Sequence, residues 1–421
     1  MKISISNQIE NNNSRSVFNI AVIVAALGYF VDIYDLLLFT IIREPSLHSI
    51  GISDDNMIAA STRIINWQMT GLLIGGVVWG VLGDKKGRLS VLFGSILLYS
   101  VANFANGYVQ TTEQYAWARF IAGIGLAGEL GAGITLVSEL LPKEKRGIGT
   151  SLVAGLGLSG AVVAYFVYKL TNDWRLCYKI GGGLGISLLL LRISVVESGM
   201  FKQVQLKNVS KGNYLMFFTN GKRFKKYLLA VLTGLPVWFV IGILINLSNR
   251  FAVELYGDKT LESGRSIMYG YIGISVGGIA IGLLSQYLKS RKKALYIFYG
   301  LTVLSCILFF SPLNNSNAFM YAVCLLLGFS VGFWSIFVTI GAEQFGTNLR
   351  ATAATTIPNI VRGALPLMNL LFVDLFQCNW KWGLVPSGII TGIIVISLTI
   401  TASLFIEETF HKDLDYLETD T

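Results

Sequence analysis

Gly80-Val-Leu-Gly-Asp84-Lys-Lys-Gly-Arg88 closes one long apolar run, residues 64–82, and leads into another, residues 89–108. Four charges in a tight turn between two such runs describe a helical hairpin whose solvent is lipid, since ~20 apolar residues cross the ~30 Å hydrocarbon layer. A worn copy follows 202 residues later: Gly282-Leu-Leu-Ser-Gln286, then Arg291-Lys292-Lys293. A second landmark, Glu139 with Arg146 seven positions on, returns as Glu343 with Arg350, also seven apart and offset by 204. Two unrelated landmarks sharing one offset point to an internal duplication.

Outward from this turn the hydropathy pattern gives twelve runs: residues 17–42, 64–82, 89–108, 115–141, 148–170, 176–196, 227–247, 267–288, 294–311, 318–340, 352–376 and 384–406. They are about twice the ~10 residues of a lipid-spanning strand and do not alternate, so the expected fold class is an all-α membrane protein of twelve helices in two pseudo-symmetric bundles. Composition agrees: 53% of the 421 residues are apolar, 45 are Gly and only 14% are charged, too little polar surface for a soluble globule. The net charge of +9 sits in short clusters between apolar runs, so no nucleic-acid surface is expected. Four cysteines without CxxC spacing and two distant histidines, His48 and His411, leave no metal site in prospect. Residues 17–42 carry two Asp and no small-residue cleavage site, which reads as a permanent span rather than a signal peptide.

Of the 33 Lys and Arg, 21 fall in one set of alternate loops, which places both termini in the cytoplasm by the positive-inside rule. Residues 197–226 hold seven of them and divide six runs from six. The expected organisation is therefore an N-terminal tail (1–16), a six-helix bundle (17–196), a cytoplasmic linker (197–226), a second six-helix bundle (227–406) and a C-terminal tail (407–421). Parallel repeats of this kind are a known transporter construction.

On these motifs the chain resembles the major facilitator superfamily over residues 17 to about 406. The turn carrying Gly80, Gly83, Asp84, Gly87 and Arg88 matches that superfamily's loop between its second and third helices. Its glycines allow a close-packed reversal, Asp84 suits a neighbouring helix N-terminus, and Arg88 offers donors to carboxylates or helix-end carbonyls. Arg119-Phe-Ile-Ala-Gly123-Ile-Gly125, Glu139-Leu-Leu-Pro142 with Arg146, Glu197-Ser-Gly-Met-Phe201, and Glu343-Gln-Phe with Arg350 narrow the resemblance to sugar porters and metabolite- or aromatic-acid:proton symporters. Gln286 stands where the second-half loop of that superfamily has an acid, so the second-half gate is expected to lack one charge interaction. Gly155-Leu-Gly-Leu-Ser-Gly160 lacks the Gly-Pro pair common in exporters of this superfamily, which favours uptake.

Ionisable residues inside the hydrocarbon are costly and mark function by default. Asp32 and Asp35 lie three apart on one helical face. At ~1.5 Å per residue, Asp35 lies ~10 Å and Arg119 ~6 Å below the outer ends of their spans, at matching depth. In the proteins this chain resembles, the acid of the first helix pairs with the arginine of the fourth and takes the coupling proton; the matching residues are Asp35 and Arg119, with Asp32 beside them. A permanent structural ion pair is the alternative reading. Glu129, ~21 Å from the outer end, and Arg362, ~15 Å from the inner end, fall near the midplane, one in each half. Alternating-access carriers hold substrate there. Asn359, Gln68, Trp238 and Trp334 are the other candidate lining residues, though such aromatics also serve packing. Three buried acids against two bases suit a small polar or zwitterionic metabolite, with Arg362 facing a carboxylate.

The expected activity is thus proton-coupled uptake by alternating access, with a proton-independent carrier, an exporter and a sugar substrate left as alternatives. No covalent chemistry and no cofactor beyond the proton gradient is expected, because no His/Ser pair, metal cluster or membrane-face acid pair supports a membrane enzyme. Tails this short argue against a signalling receptor. The expected partners are protons, a small-molecule substrate and the lipid bilayer, for a monomer in a bacterial inner membrane.

Overall fold

The structure is a computed structural model that describes residues 20–192, 212–313, 315–373, 375 and 382–418. Inside a bilayer every backbone N–H and C=O must be satisfied within the chain, and all regular elements among the described residues are helical. In the first half they are α1 (Ile20–Ser49), α2 (Asp54–Lys86), α3 (Arg88–Asn106), α4 (Thr112–Leu126), α5 (Glu129–Leu140), α6 (Lys143–Leu158), α7 (Gly160–Thr171) and α8 (Trp174–Arg192). In the second they are α9 (Met216–Thr219), α10 (Gly221–Phe239), α11 (Ser248–Tyr256), α12 (Ser263–Tyr287), α13 (Arg291–Phe310), α14 (Asn317–Ser330), α15 (Trp334–Glu343), α16 (Arg350–Gly363), α17 (Leu365–Val373) and α18 (Leu384–Phe405).

Ten continuous helical stretches among the described residues are long and apolar enough to span a bilayer. They include the composite α4–α5, α6–α7 and α14–α15, and α10 running on through a π-helical turn, Val240–Ile245. Two further apolar runs lie outside that ten. The sixth forms α8 and is described as far as Arg192, and the eleventh is broken at Ala364 into α16 and α17, just ahead of Pro366. The expected tail 1–16, half of the linker (197–211) and the Glu197-to-Phe201 motif lie outside the described residues. The seventh helix starts at Gly221, six residues before its apolar run, because the Asn220 side chain accepts the amides of Lys222 and Arg223 and caps it there.

Small residues let these helices approach closely, the usual basis of packing in lipid. A Cβ at Gly71 would collide with the Phe120 carbonyl where α2 crosses α4, and one at Gly273 would collide with the Leu325 carbonyl where α12 crosses α14. Gly71 and Gly273 are 202 positions apart, so the same helix pair is built twice at the offset read from the sequence. The motif glycines divide their work in a way the sequence reading did not foresee. Only Gly87, at φ 102, makes the reversal. Gly80 and Gly83 sit inside α2, where an added Cβ would meet Thr352 Cα at 2.9 Å and Ala351 Cβ at 3.0 Å, so they serve the approach of α16.

Candidate functional site

Three polar clusters lie inside the helix bundle. In the first, α1 and α4 bring Asp35 and Arg119 together, both fully buried. Arg119 donates from Nη1 to Asp35 Oδ1 at 2.8 Å and from Nη2 to the Asp35 carbonyl at 3.0 Å. Its Nε reaches Gln68 Oε1 at 3.4 Å, and Gln68 donates to the Leu36 carbonyl at 3.2 Å. The guanidinium lies 5.5 Å from the Tyr178 ring centroid, and Tyr178 shares a 2.8 Å hydrogen bond with Tyr115. Arg119 is therefore held by four contacts from α1, α2 and α8, and every side chain of this cluster belongs to the first half. Gln68, expected among the substrate-lining residues, stands beside this pair.

The second cluster bridges the halves at mid-depth. Trp334, opening α15, donates from Nε1 to the Tyr29 hydroxyl of α1 at 3.1 Å. Arg362 of α16 stands 5.7 Å from the Trp334 ring centroid and donates from Nη1 to Asn359 Oδ1 at 3.0 Å. Asn359 donates from Nδ2 to the Ala127 carbonyl at 3.0 Å, at the break between α4 and α5. The Tyr29 hydroxyl has Arg362 and Asp32 among its electrostatic neighbours, and Tyr271 faces Tyr29 and Arg362. Arg362 is 2% exposed and its Nε has no hydrogen-bond acceptor among the described residues, so one donor of a buried guanidinium is unused. Glu129 is buried at the first position of α5, two residues beyond Ala127. Asp32 thus joins the Tyr29–Arg362 group while Asp35, three residues on, holds Arg119. Trp238 is buried on α10, and its indole N–H has no acceptor among the described residues. Tyr29 and Tyr271 were missed by the sequence reading, since a tyrosine in an apolar run carries no charge to flag it.

The third cluster closes the face that bears the basic loops. Asp84 accepts from the amides of Ala351 and Thr352 at 3.1 and 2.9 Å and from the Thr352 hydroxyl at 2.7 Å, capping α16 across the two halves. Arg88 donates to Glu139 at 2.8 Å, to the Gly83 carbonyl at 2.9 Å and to the Thr347 carbonyl at 3.1 Å. Arg350 reaches the same Glu139 oxygen at 3.0 Å, so one carboxylate ties two buried guanidiniums, one from each half. Thr339 donates to Thr150 at 2.8 Å alongside.

The second-half counterpart is unequal. Arg291, absent from the expected gate set, pairs with Glu343 at 3.2 Å and donates to Ser285 at 2.7 Å, as Arg88 does in the first half. Gln286, in the place of Asp84, lies against Gly147 of α6 with its amide nitrogen unpartnered among the described residues, so there the cross-half cap is seen on one side and not on the other. Arg146 is buried near Glu343 without a direct ion pair among the described residues.

A strap formed by residues 407–418 covers this face. Glu408 accepts from Ser290 and from the amides of Arg291 and Lys292, Thr409 donates to Glu343 at 2.7 Å, and Leu414 is fully buried with its carbonyl accepting from Arg350 and Thr347. Burial pulls the Glu408 carboxyl upward, but the hydrogen bonds from Ser290 and the neighbouring amides outweigh it and hold the group below the usual carboxylate range. At the opposite face the halves meet through Lys169 and Glu262, 3.9 Å apart and about half exposed, a pair that contributes little.

Known proteins resemble this chain in sequence and fold. The family model described as Major Facilitator Superfamily matches residues 16–363. A niacin transporter, NiaP, of Acinetobacter baylyi is 27% identical, with 79% of this chain and 81% of that protein covered. The cis,cis-muconate transport protein of the same organism is 24% identical, with 84% and 87% covered. Among solved structures, the proton:xylose symporter XylE superposes with a TM-score of 0.72 at 18% identity, covering 96% of this chain and 98% of that one, which shows the fold. Helical spans, twofold construction and family match agree: this chain is a multi-pass membrane transporter of the Major Facilitator Superfamily and not an enzyme.

Proposed function

We propose that this protein is a proton-coupled symporter that takes up a small polar metabolite bearing a carboxylate, either an acid or a zwitterion, by alternating access. The observation that carries the substrate class is Arg362. It is a buried guanidinium at mid-depth with an unused Nε, between aromatic rings and opposite an acid of the other half. A planar carboxylate satisfies such a donor, and an aromatic surround suits a flat or compact ligand. Asp32, Glu129, Asn359 and Trp334 are the proposed partners of the rest of the substrate. Niacin and cis,cis-muconate, named for two relatives, are both carboxylates.

Asp35 and Arg119 supply the coupling. Arg119 donating to Asp35 favours the charged carboxylate, and turning the guanidinium toward another acceptor favours uptake of a proton there. Protonation and helix movement are then linked, with the proton gradient as energy source and no cofactor. The basic face is cytoplasmic in this reading, the membrane is the bacterial inner membrane, and the molecule works as a monomer closed toward the cytoplasm by its gate and strap.

The test is uptake into proteoliposomes with nicotinate, benzoate and betaine as probes, with and without an inward proton gradient. The wild type is expected to concentrate one of the carboxylates only when the gradient is present. Asp35→Asn is expected to keep substrate exchange and lose accumulation. Accumulation by Asp35→Asn at the wild-type level refutes the coupling role, and equilibration without accumulation, whether or not the gradient is present, favours the proton-independent carrier.

A further inference from the structure

The start of α10 has a charge distribution that the transport reading does not use. Lys222, Arg223, Lys225 and Lys226 crowd its first six residues, with no acid in the first turn. A helix N-terminus already carries partial positive charge, so four cations there are mismatched with the dipole and call for an anion. The Asn220 side chain satisfies the amides of Lys222 and Arg223 but supplies no charge. Glu407 is the one carboxylate at ion-pair distance from these lysines among the described residues. It lies 3.2 Å from Lys226 and is shared with Lys412 at 3.8 Å. Lys222 and Lys225 have no acidic partner among the described residues, and the Lys225 ammonium stands 5.5 Å from the centre of the exposed Phe405 ring.

These lysines form one wall of a groove of about 260 Å³, completed by Gln344, Ile406 and Glu407. Leu229 and Phe405 belong equally to a second groove of about 420 Å³, which runs on between α10 and α18 and is lined by Leu232, Ile394, Leu398 and Ala402. The two are continuous, cationic at the basic face and apolar toward the membrane interior. From Phe405 to Ile394 the apolar part runs ~16 Å along α18 at ~1.5 Å per residue, about half of the ~30 Å hydrocarbon layer. A positive head site joined to a one-leaflet apolar slot has the shape and polarity of a phospholipid.

We propose that this groove binds an anionic phospholipid, its phosphate among Lys222, Lys225 and Lys226 and one acyl chain between α10 and α18. Basic pockets between membrane helices at the cytoplasmic surface hold anionic headgroups in this way. Three lysines against one carboxylate leave two positive charges for the phosphate to offset. Because Glu407 begins the strap over the gate, the lipid phosphate and the strap share Lys226 as a partner.

The experiment is native mass spectrometry of the detergent-purified protein with added phosphatidylglycerol or phosphatidylcholine. Wild type is expected to retain one phosphatidylglycerol in preference to phosphatidylcholine by at least tenfold. Each Lys→Gln change is expected to weaken that retention by about fivefold, so that Lys222→Gln, Lys225→Gln and Lys226→Gln together abolish the preference. Thr401→Trp, an exposed position in the apolar slot with all lysines intact, is expected to lower retention of both lipids. Thermal unfolding in lipid-free detergent identifies any variant that misfolds, and the single change Lys225→Gln, at an exposed site, then stands in for the triple variant. Two results overturn the proposal. One is unchanged phosphatidylglycerol retention in the folded lysine variants. The other is displacement of the lipid by millimolar glycerol 3-phosphate together with no effect of Thr401→Trp, which would mark an anion site without a chain slot.

Discussion

Replacing Glu139 by Gln removes the one carboxylate that both Arg88 and Arg350 contact, at 2.8 and 3.0 Å, with all three side chains fully buried. Arg88 reaches Glu139 from within the first half, so that contact survives when the halves part. The Arg350 contact crosses between halves and exists only in the closed form. In the closed form of Glu139→Gln the Arg350 guanidinium keeps its bond to the Leu414 carbonyl but loses its ion pair with Glu139. In the open form it is hydrated. Breaking a buried ion pair by removing one partner costs about 3 to 5 kcal/mol. Taking about 3 kcal/mol for the crossing half, the closed state loses about a hundredfold in population relative to the open one. The readout is a cysteine at Thr339, fully buried in the closed form beside Thr150, in a variant whose four native cysteines are replaced. Its maleimide labelling rate follows the open fraction, so Glu139→Gln is expected to speed labelling by about a hundredfold while the population remains far from saturation. A change of less than about threefold, in protein that unfolds at the wild-type temperature, refutes the idea that this carboxylate holds the basic face shut.

Further outcomes follow from the same contacts. Arg362→Lys keeps the charge but loses the planar fork, and is expected to raise KM for the transported carboxylate by about tenfold or more with smaller change in kcat, measured as initial uptake rates. Gly131→Val places a Cβ against the Thr355 backbone, whose nitrogen lies 2.7 Å from the added atom, so closure is obstructed and labelling at Thr339→Cys is expected to rise without loss of folding. Glu408 has its carboxyl held below the ordinary value when the strap is docked, so its contribution is complete above about pH 4.5 and is lost as pH falls through the docked-state value. Strap docking, followed by a spin label on the exposed His411 position, is therefore expected to be unchanged between pH 5 and 8 and to weaken only in stronger acid. Release between pH 6 and 7 would contradict this assignment.

Some of this was legible in residue order alone. Long apolar runs have few physical solutions in lipid, so the helical class and most span positions followed from hydropathy, and the repeat offset of 202 is the spacing at which Gly71 and Gly273 make equivalent crossings. Asp35 and Arg119 stood out because charges are rare in such runs, and a rise of ~1.5 Å per residue was enough to match their depths. Residues whose signal is geometric escaped. Arg291 looked like one more loop cation until Glu343 and Ser285 were seen around it. Tyr29 and Tyr271 read as ordinary aromatics, and the strap read as a short tail.

What the sequence determined on its own was which segments enter the membrane and which of them carry charge, because both depend on composition and periodicity along one helix. What only the tertiary structure decided was pairing. Asp32 and Asp35 share a face yet join different clusters, Gln68 sits with Asp35 and Arg119 rather than with Arg362 and Trp334, and Glu139 meets Arg350 across 211 positions. Those choices depend on how helices rotate and cross once their small residues lock together, and that is a property of two surfaces in contact, which no single stretch of sequence contains.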